Sequence, residues 1–284
     1  MSPRPSGVDA RERPAPVRLG AAGRDRPAGA ADGEPLVASF LVGGAPRSGT
    51  TYLAEVLDAH PDAQMARPLV PEPKVFMTPA EGPAAYRERY RRHFAPGSPA
   101  VRGEKTSYYL ESDEARERIV ATLPAVRAVF ILREPVARAY SSWLFTRANG
   151  LEPLSFEDAL AAEGHRPSPL PPERAYARPH DYLWRGRYGD FARRWIDALG
   201  RDSVSFHLYE DLVRDPDRVL RSVQAFAGLE PRDLGAAARA PVNAARDLGP
   251  PLDPALCQRL RDRMRPHVEE TAAATGLDLS SWDY

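Results

Sequence analysis

Residues 44–51, Gly-Ala-Pro-Arg-Ser-Gly-Thr-Thr, concentrate groups able to bind an anion. Gly44 and Gly49 keep the Gly-x-x-x-x-Gly spacing of a phosphate-binding P-loop, whose backbone N–H groups converge on one point at a helix N-terminus. Where that motif demands Lys and then Ser or Thr, this chain has Thr50 and Thr51. The missing lysine removes the charge that neutralises a nucleoside triphosphate. The loop keeps its backbone cradle, gains a second hydroxyl donor, and carries Arg47 as a cation approaching from another direction. This chemistry suits a nucleotide bearing one phosphate and one other transferable anion better than ATP with Mg²⁺. A strand–helix turn that binds nothing is the plain alternative, but strand, glycine spacing, arginine and paired threonines coincide here.

These groups need a strand before them and a helix after them, and the sequence supplies both. Residues 36–42 are an apolar run, and 52–57 read as the first turns of a helix. Residues 126–132 form a second buried strand, followed by Arg133-Glu134-Pro135 with proline at a helix's first turn and a helix to about Asn149. A strand at 100–105 ends in Glu104-Lys105, and 203–209 alternates as another strand. Helices are expected at 79–93, 113–123, 188–199, 217–226 and 254–275. The last carries Leu256, Leu260, Met264 and Val268 at i, i+4 spacing. Residues 63–73 and the proline-rich 164–187 read as loops.

Strands alternating with helices specify an α/β, P-loop-like three-layer fold: a central, mostly parallel sheet flanked by helices. Ligands in such sheets sit beyond the carboxyl ends of the strands. The segments 44–51, 103–109 and 133–141 all follow strands, so they should converge on one site.

The 284 residues carry 39 Lys and Arg against 39 Asp and Glu, so the neutral chain gives no general argument for nucleic acid or an anionic membrane. One cysteine, Cys257, excludes an intrachain disulfide framework and reads as a core residue of the last helix. Residues 1–35, rich in Pro, Gly, Ala and Arg, read as a disordered tail without a secretory signal, and 36–284 as a single domain. These features lead to the expectation of a cytoplasmic protein with no membrane partner.

Two segments together resemble the PAPS-dependent sulfotransferases. Residues 46–53, Pro-Arg-Ser-Gly-Thr-Thr-Tyr-Leu, are similar to the family's 5′-phosphosulfate loop. Residues 132–141, with Arg133 and Ser141 eight residues apart, are similar to its 3′-phosphate segment. Glu72-Pro73-Lys74-Val75-Phe76, residues 103–108, 185–188, 209–212 and 279–284 resemble the branch containing heparan sulfate sulfotransferases and many bacterial enzymes.

The resemblance implies the co-substrate 3′-phosphoadenosine-5′-phosphosulfate (PAPS), the product adenosine 3′,5′-bisphosphate, and no metal. It implies an acceptor hydroxyl or amine on a small molecule or saccharide. Arg47, Ser48, Gly49, Thr50 and Thr51 would cradle the 5′-phosphosulfate, and Arg133 with Ser141 would hold the 3′-phosphate. Asn243 and Arg246 would close over the nucleotide from a late loop. Glu72 would be the general base, and Lys105, with Arg47, the cation near the transferred group. Pro71 stands where the family often has a lysine before the base, leaving Lys74 to supply that charge. Tyr188, Trp184 and Lys74 are expected on the acceptor side, and 164–187 to shape the acceptor pocket or a lid. His60, His93 and His180 are rival bases. The abundance of Arg, Ala and Pro fits a GC-rich bacterial source, where such enzymes tailor secondary metabolites. Two other readings remain open at this point: a kinase or nucleotidase with a degenerate loop, and a non-catalytic nucleotide-binding module.

Overall fold

A computed structural model of the protein describes residues 37–95, 97, 99, 101–235, 237–238 and 249–284. The expected tail at 1–35 lies outside the described residues. Five strands, β1 (Phe40–Gly44), β2 (Ala63–Met65), β3 (Val101–Lys105), β4 (Arg127–Leu132) and β5 (Val204–Leu208), form one sheet in the order β2-β3-β1-β4-β5. Every pairing in it is parallel.

The helices are α1 (Thr50–Asp58), α2 (Pro83–Tyr90), α3 (Asp113–Thr122), α4 (Pro135–Ala148) and α5 (Phe156–Ala161). They continue as α6 (Tyr188–Leu199), α7 (Tyr209–Arg214), α8 (Pro216–Ala227) and α9 (Pro254–Thr275). Among the described residues no helix is long and apolar enough to cross a membrane.

Alternation along the central strands builds two cores, one on each face of the sheet. Leu41, Ala128, Phe130 and Leu132 face a layer that includes Ile119 of α3, Phe191 and Trp195 of α6, and Trp282. Phe40, Val42, Val129 and Ile131 face Leu53, Val56 and Leu57 of α1 and Val219, Leu220 and Val223 of α8. Phe130 anchors the first layer, with its ring centroid 5.1 Å from Trp195 and 5.5 Å from Phe206. A third cluster joins Val136 and Ala139 of α4 to α5 and to Leu260 and Met264 of α9, the i, i+4 stripe expected for that helix.

This order puts β1 at the centre, between β3 and β4. Val42 is in register with Lys105 on one side and with Val129 on the other. The turns after β1, β3 and β4 therefore emerge side by side at the carboxyl edge of the sheet. The turns come very close: a Cβ on Gly44, whose φ is +155°, would lie 2.9 Å from the Ser107 carbonyl oxygen and 2.7 Å from the Leu110 Cβ.

Candidate active site

Helix α1 begins directly after Gly49, its N-cap residue. Gly49 has φ 82° and offers no side chain to cap the first turn. The first-turn N–H groups thus end in a cradle rather than on a capping oxygen. Ser48 in the same loop is fully buried, and its hydroxyl has no hydrogen-bond partner. An uncapped helix start and an orphaned buried hydroxyl fit an oxyanion such as a phosphosulfate.

Adjacent residues of β3 point to opposite faces of the sheet. Glu104 turns into the first core, where it accepts from Tyr90 Oη at 2.5 Å, Tyr109 Oη at 2.6 Å and Thr106 Oγ1 at 2.8 Å. Burial pushes this carboxyl above its ordinary value, and the three hydroxyls pull it back. Lys105 turns the other way, toward α1. Its ammonium, 2% exposed, donates to Thr51 Oγ1 at 3.2 Å and to Glu72 Oε1 at 3.1 Å.

Glu72 is held from one side only. Its Oε1 accepts from Lys105 and twice from Ser107, from the amide at 3.2 Å and the hydroxyl at 2.5 Å. Its Oε2 is buried and has no partner. Ser107 Oγ also lies 3.1 Å from Thr50 Oγ1. The Ser107 hydrogen is already committed to Glu72, so Thr50 is the donor in that contact. Thr50, Ser107, Glu72, Lys105 and Thr51 thus form one polar circuit joining the cradle to the carboxylate.

On the β4 side, Arg133 Nη1 donates to the Arg47 carbonyl at 3.1 Å, and Arg47 Nε donates to Ser141 Oγ at 3.0 Å. The guanidinium of Arg47 lies 5.0 Å over the Phe145 ring, and that of Arg133 lies 4.7 Å over Tyr209. Arg47, at φ 70°, holds a left-handed conformation unusual for arginine.

A cavity of about 490 Å³ opens over these groups. It is lined by Arg47, Thr50, Thr51, Glu72, Lys105 and Ser107, and on its far wall by Lys74, Tyr108, Phe145 and Arg185. Leu170, Arg174, Ala177 and Pro179 of the 164–187 stretch complete it. The ammonium of Lys74 sits 5.7 Å from the Tyr108 ring and 5.6 Å from the Tyr176 ring, and the residue adopts φ 56°. Burial pushes the Tyr108 hydroxyl up, opposed by Arg185, so it stays protonated at neutral pH.

Most of the expected site is thus brought together, with two corrections. Tyr188 does not line the cavity. It is fully buried, its ring lies 6.1 Å from Trp282, and its hydroxyl donates to the Arg133 carbonyl at 2.9 Å. Trp184 packs on Phe191 at 5.1 Å, under the Arg178 guanidinium at 4.6 Å, and borders a separate depression. The first turn of α6 and the turn before it direct these rings into the core instead of toward an acceptor. Asn243 and Arg246 lie outside the described residues.

The rival bases are placed elsewhere. His60, His93 and His180 pair with the carbonyls of Glu230, Arg67 and Leu151, and none lines the cavity. The motifs legible in the sequence assign Ser107 no role of its own; its signal is a hydroxyl two residues past Lys105, on the turn that meets the cradle.

Comparison with known proteins agrees with this geometry. Residues 38–237 match the family model described as "Sulfotransferase domain". The chain is 28% identical over 204 residues to mouse heparan sulfate glucosamine 3-O-sulfotransferase 3A1, covering 70% of this chain and 48% of that protein. It is 30% identical over 195 residues to human heparan sulfate glucosamine 3-O-sulfotransferase 6, covering 67% of this chain and 52% of that one. The matched region therefore spans about half the length of these relatives. A solved sulfotransferase from Alicyclobacillus acidocaldarius has the same fold, with a TM-score of 0.67 at 24% identity, covering 87% of this chain and 99% of that one.

Proposed function

The chain belongs to the sulfotransferase domain family, and from that premise we propose that it transfers a sulfuryl group from PAPS to a hydroxyl or amine of a small-molecule or saccharide acceptor. The observation that carries this reading is the Lys105 ammonium, which bridges the Glu72 carboxylate and Thr51 in the first turn of α1. It sets a base, a cation and an anion cradle around one cavity.

When bound, PAPS supplies the sulfuryl group and a phosphate leaving group. Ser48, Thr50, Thr51 and the N-terminus of α1 hold its 5′ anion, and Arg133 with Ser141 recognises the 3′-phosphate. Glu72 takes the acceptor's proton, while Ser107 and Lys105 fix the carboxylate through Oε1. Lys105 and Arg47 oppose the negative charge that grows beside the cradle.

Val70 and Phe145, 69% and 51% exposed, stand at this cavity beside Leu151 and Leu170. This apolar surface fits an acceptor with a hydrocarbon or aromatic portion next to its nucleophile. A kinase reading is disfavoured because Thr50 occupies the position of the P-loop lysine.

Incubation with radiolabelled PAPS and a panel of phenols, alcohols, amines and saccharides tests the reading. Labelled product that depends on Glu72 is expected. Absence of transfer to every acceptor, with γ-phosphate transfer from ATP instead, would overturn it.

A further inference from the structure

The backbone that carries Arg133 is held by side chains from two distant parts of the chain. The Arg133 carbonyl accepts from Tyr188 Oη at 2.9 Å. The next amide, Glu134 N–H, donates to Glu210 Oε1 at 2.9 Å. The Glu134 carboxylate caps α4, accepting from the amides of Val136 at 3.0 Å and Ala137 at 2.6 Å.

Each of the two carboxylates is fixed in turn by one short segment. Trp282 Nε1 donates to Glu210 Oε2 at 2.9 Å, and Tyr284 Oη donates to Glu134 Oε1 at 2.5 Å. Between them Asp283 adopts φ 56°, the left-handed conformation that Asp tolerates better than most residues. That single turn aims both neighbours back at the start of α4. Trp282 is 1% exposed and packs at a tilt against Tyr188, so the segment also braces the residue that grips the Arg133 carbonyl. Tyr209, next to Glu210, lies under the Arg133 guanidinium.

We propose that Trp282 and Tyr284 are positioning residues for the donor. Through Glu210 and Glu134 they fix where Arg133 presents its guanidinium, and so set recognition of the nucleotide's 3′-phosphate. This rests on the reading of Arg133 as the 3′-phosphate contact. Neither residue lines the cavity, and both reach Arg133 only through the backbone and side chains around the start of α4. Losing either bond lets the Arg133 backbone shift without removing a charge from the site.

The test is calorimetric titration of the full chain with adenosine 3′,5′-bisphosphate and with adenosine 5′-monophosphate, for the wild type and for Tyr284→Phe, Trp282→Phe and Glu210→Gln. The expected result is a fall of about tenfold in the preference for the bisphosphate, as for one lost hydrogen bond to a charged group. Affinity for the monophosphate and the KM of the acceptor should stay as in the wild type. A merely structural role would weaken both nucleotides equally. That result, or an unchanged preference, overturns the proposal. Should Trp282→Phe fail to fold, Tyr284→Phe, which keeps the ring, still decides the matter. A wild type that shows no preference for the bisphosphate would instead remove the 3′-phosphate role of Arg133 itself, and this proposal with it.

Discussion

Replacing Glu72 by Gln separates chemistry from architecture in this site. The carboxylate uses Oε1 to accept from Lys105 Nζ and twice from Ser107, while Oε2 accepts from nothing. A glutamine with its carbonyl oxygen at the Oε1 position keeps all three donors and places its NH₂ at the Oε2 position. The side chain then stays where it is but has lost the lone pair that takes a proton. General-base catalysis is worth about 10²–10⁴-fold, or ~3–5 kcal/mol of barrier. The expected outcome is therefore a kcat lowered by about that factor under saturating donor, with the Kd of adenosine 3′,5′-bisphosphate within about threefold of wild type by calorimetry. Glu72→Ala would be less informative, since it takes from the buried Lys105 ammonium its carboxylate and from the Ser107 amide and hydroxyl their Glu72 acceptor. If Glu72→Gln turns over within about threefold of the wild-type rate, Glu72 is not the base. A defect confined to donor binding would place the residue in the cradle instead.

Three further outcomes follow from the same geometry. Lys105→Met breaks a nearly buried ion pair, which costs about 3 kcal/mol, or about 6–12 °C in Tm for a domain of this size; an unchanged melting curve contradicts the pairing with Glu72. Arg133→Ala should weaken adenosine 3′,5′-bisphosphate by about 10–100-fold, the worth of a charge-assisted contact, while leaving adenosine 5′-monophosphate unaffected in competition binding. Burial, reinforced by Arg218, pushes the His207 imidazole on β5 down to about 4, from 6.5 in the unfolded chain. The unfolded state then binds the extra proton between those values. Stability contributed by the neutral imidazole is complete above pH 6.5 and is lost as pH falls toward 4, with a slope approaching ~1.4 kcal/mol per pH unit. His207→Gln should flatten that part of a stability–pH curve, and an identical slope in the variant rules this origin out.

Local chemistry made the central part of the site legible in the sequence. The glycines and hydroxyls of 44–51, the strand before Arg133 and the lysine ending β3 are short-range patterns whose convergence follows from parallel topology. Other parts depended on contacts far apart in sequence. Strand β2 is only three residues long, Ala63–Met65, too short to show alternation, and sits among prolines that read as a loop. Helix α5 has six residues and announces itself only through Ser155, whose hydroxyl caps the Asp158 amide. Strand β1 starts at Phe40 rather than at the first apolar residue, because pairing with β3 and β4 begins there. Tyr188 and Trp184 look like acceptor contacts in a stretch rich in rings, yet whether an aromatic faces a cavity or a core depends on partners such as Trp282 and Phe191. Ser107 gained its place only from the approach of the β3 turn to Gly44, where a Cβ would meet its carbonyl.

The claim that this cradle serves a nucleotide with a 3′-phosphate and no γ-phosphate is tested most directly by isothermal titration without metal. Adenosine 3′,5′-bisphosphate should bind the wild-type chain at least tenfold more tightly than either adenosine 5′-monophosphate or ATP, and added Mg²⁺ should change nothing. Tighter binding of ATP with Mg²⁺ than of the bisphosphate would contradict the account.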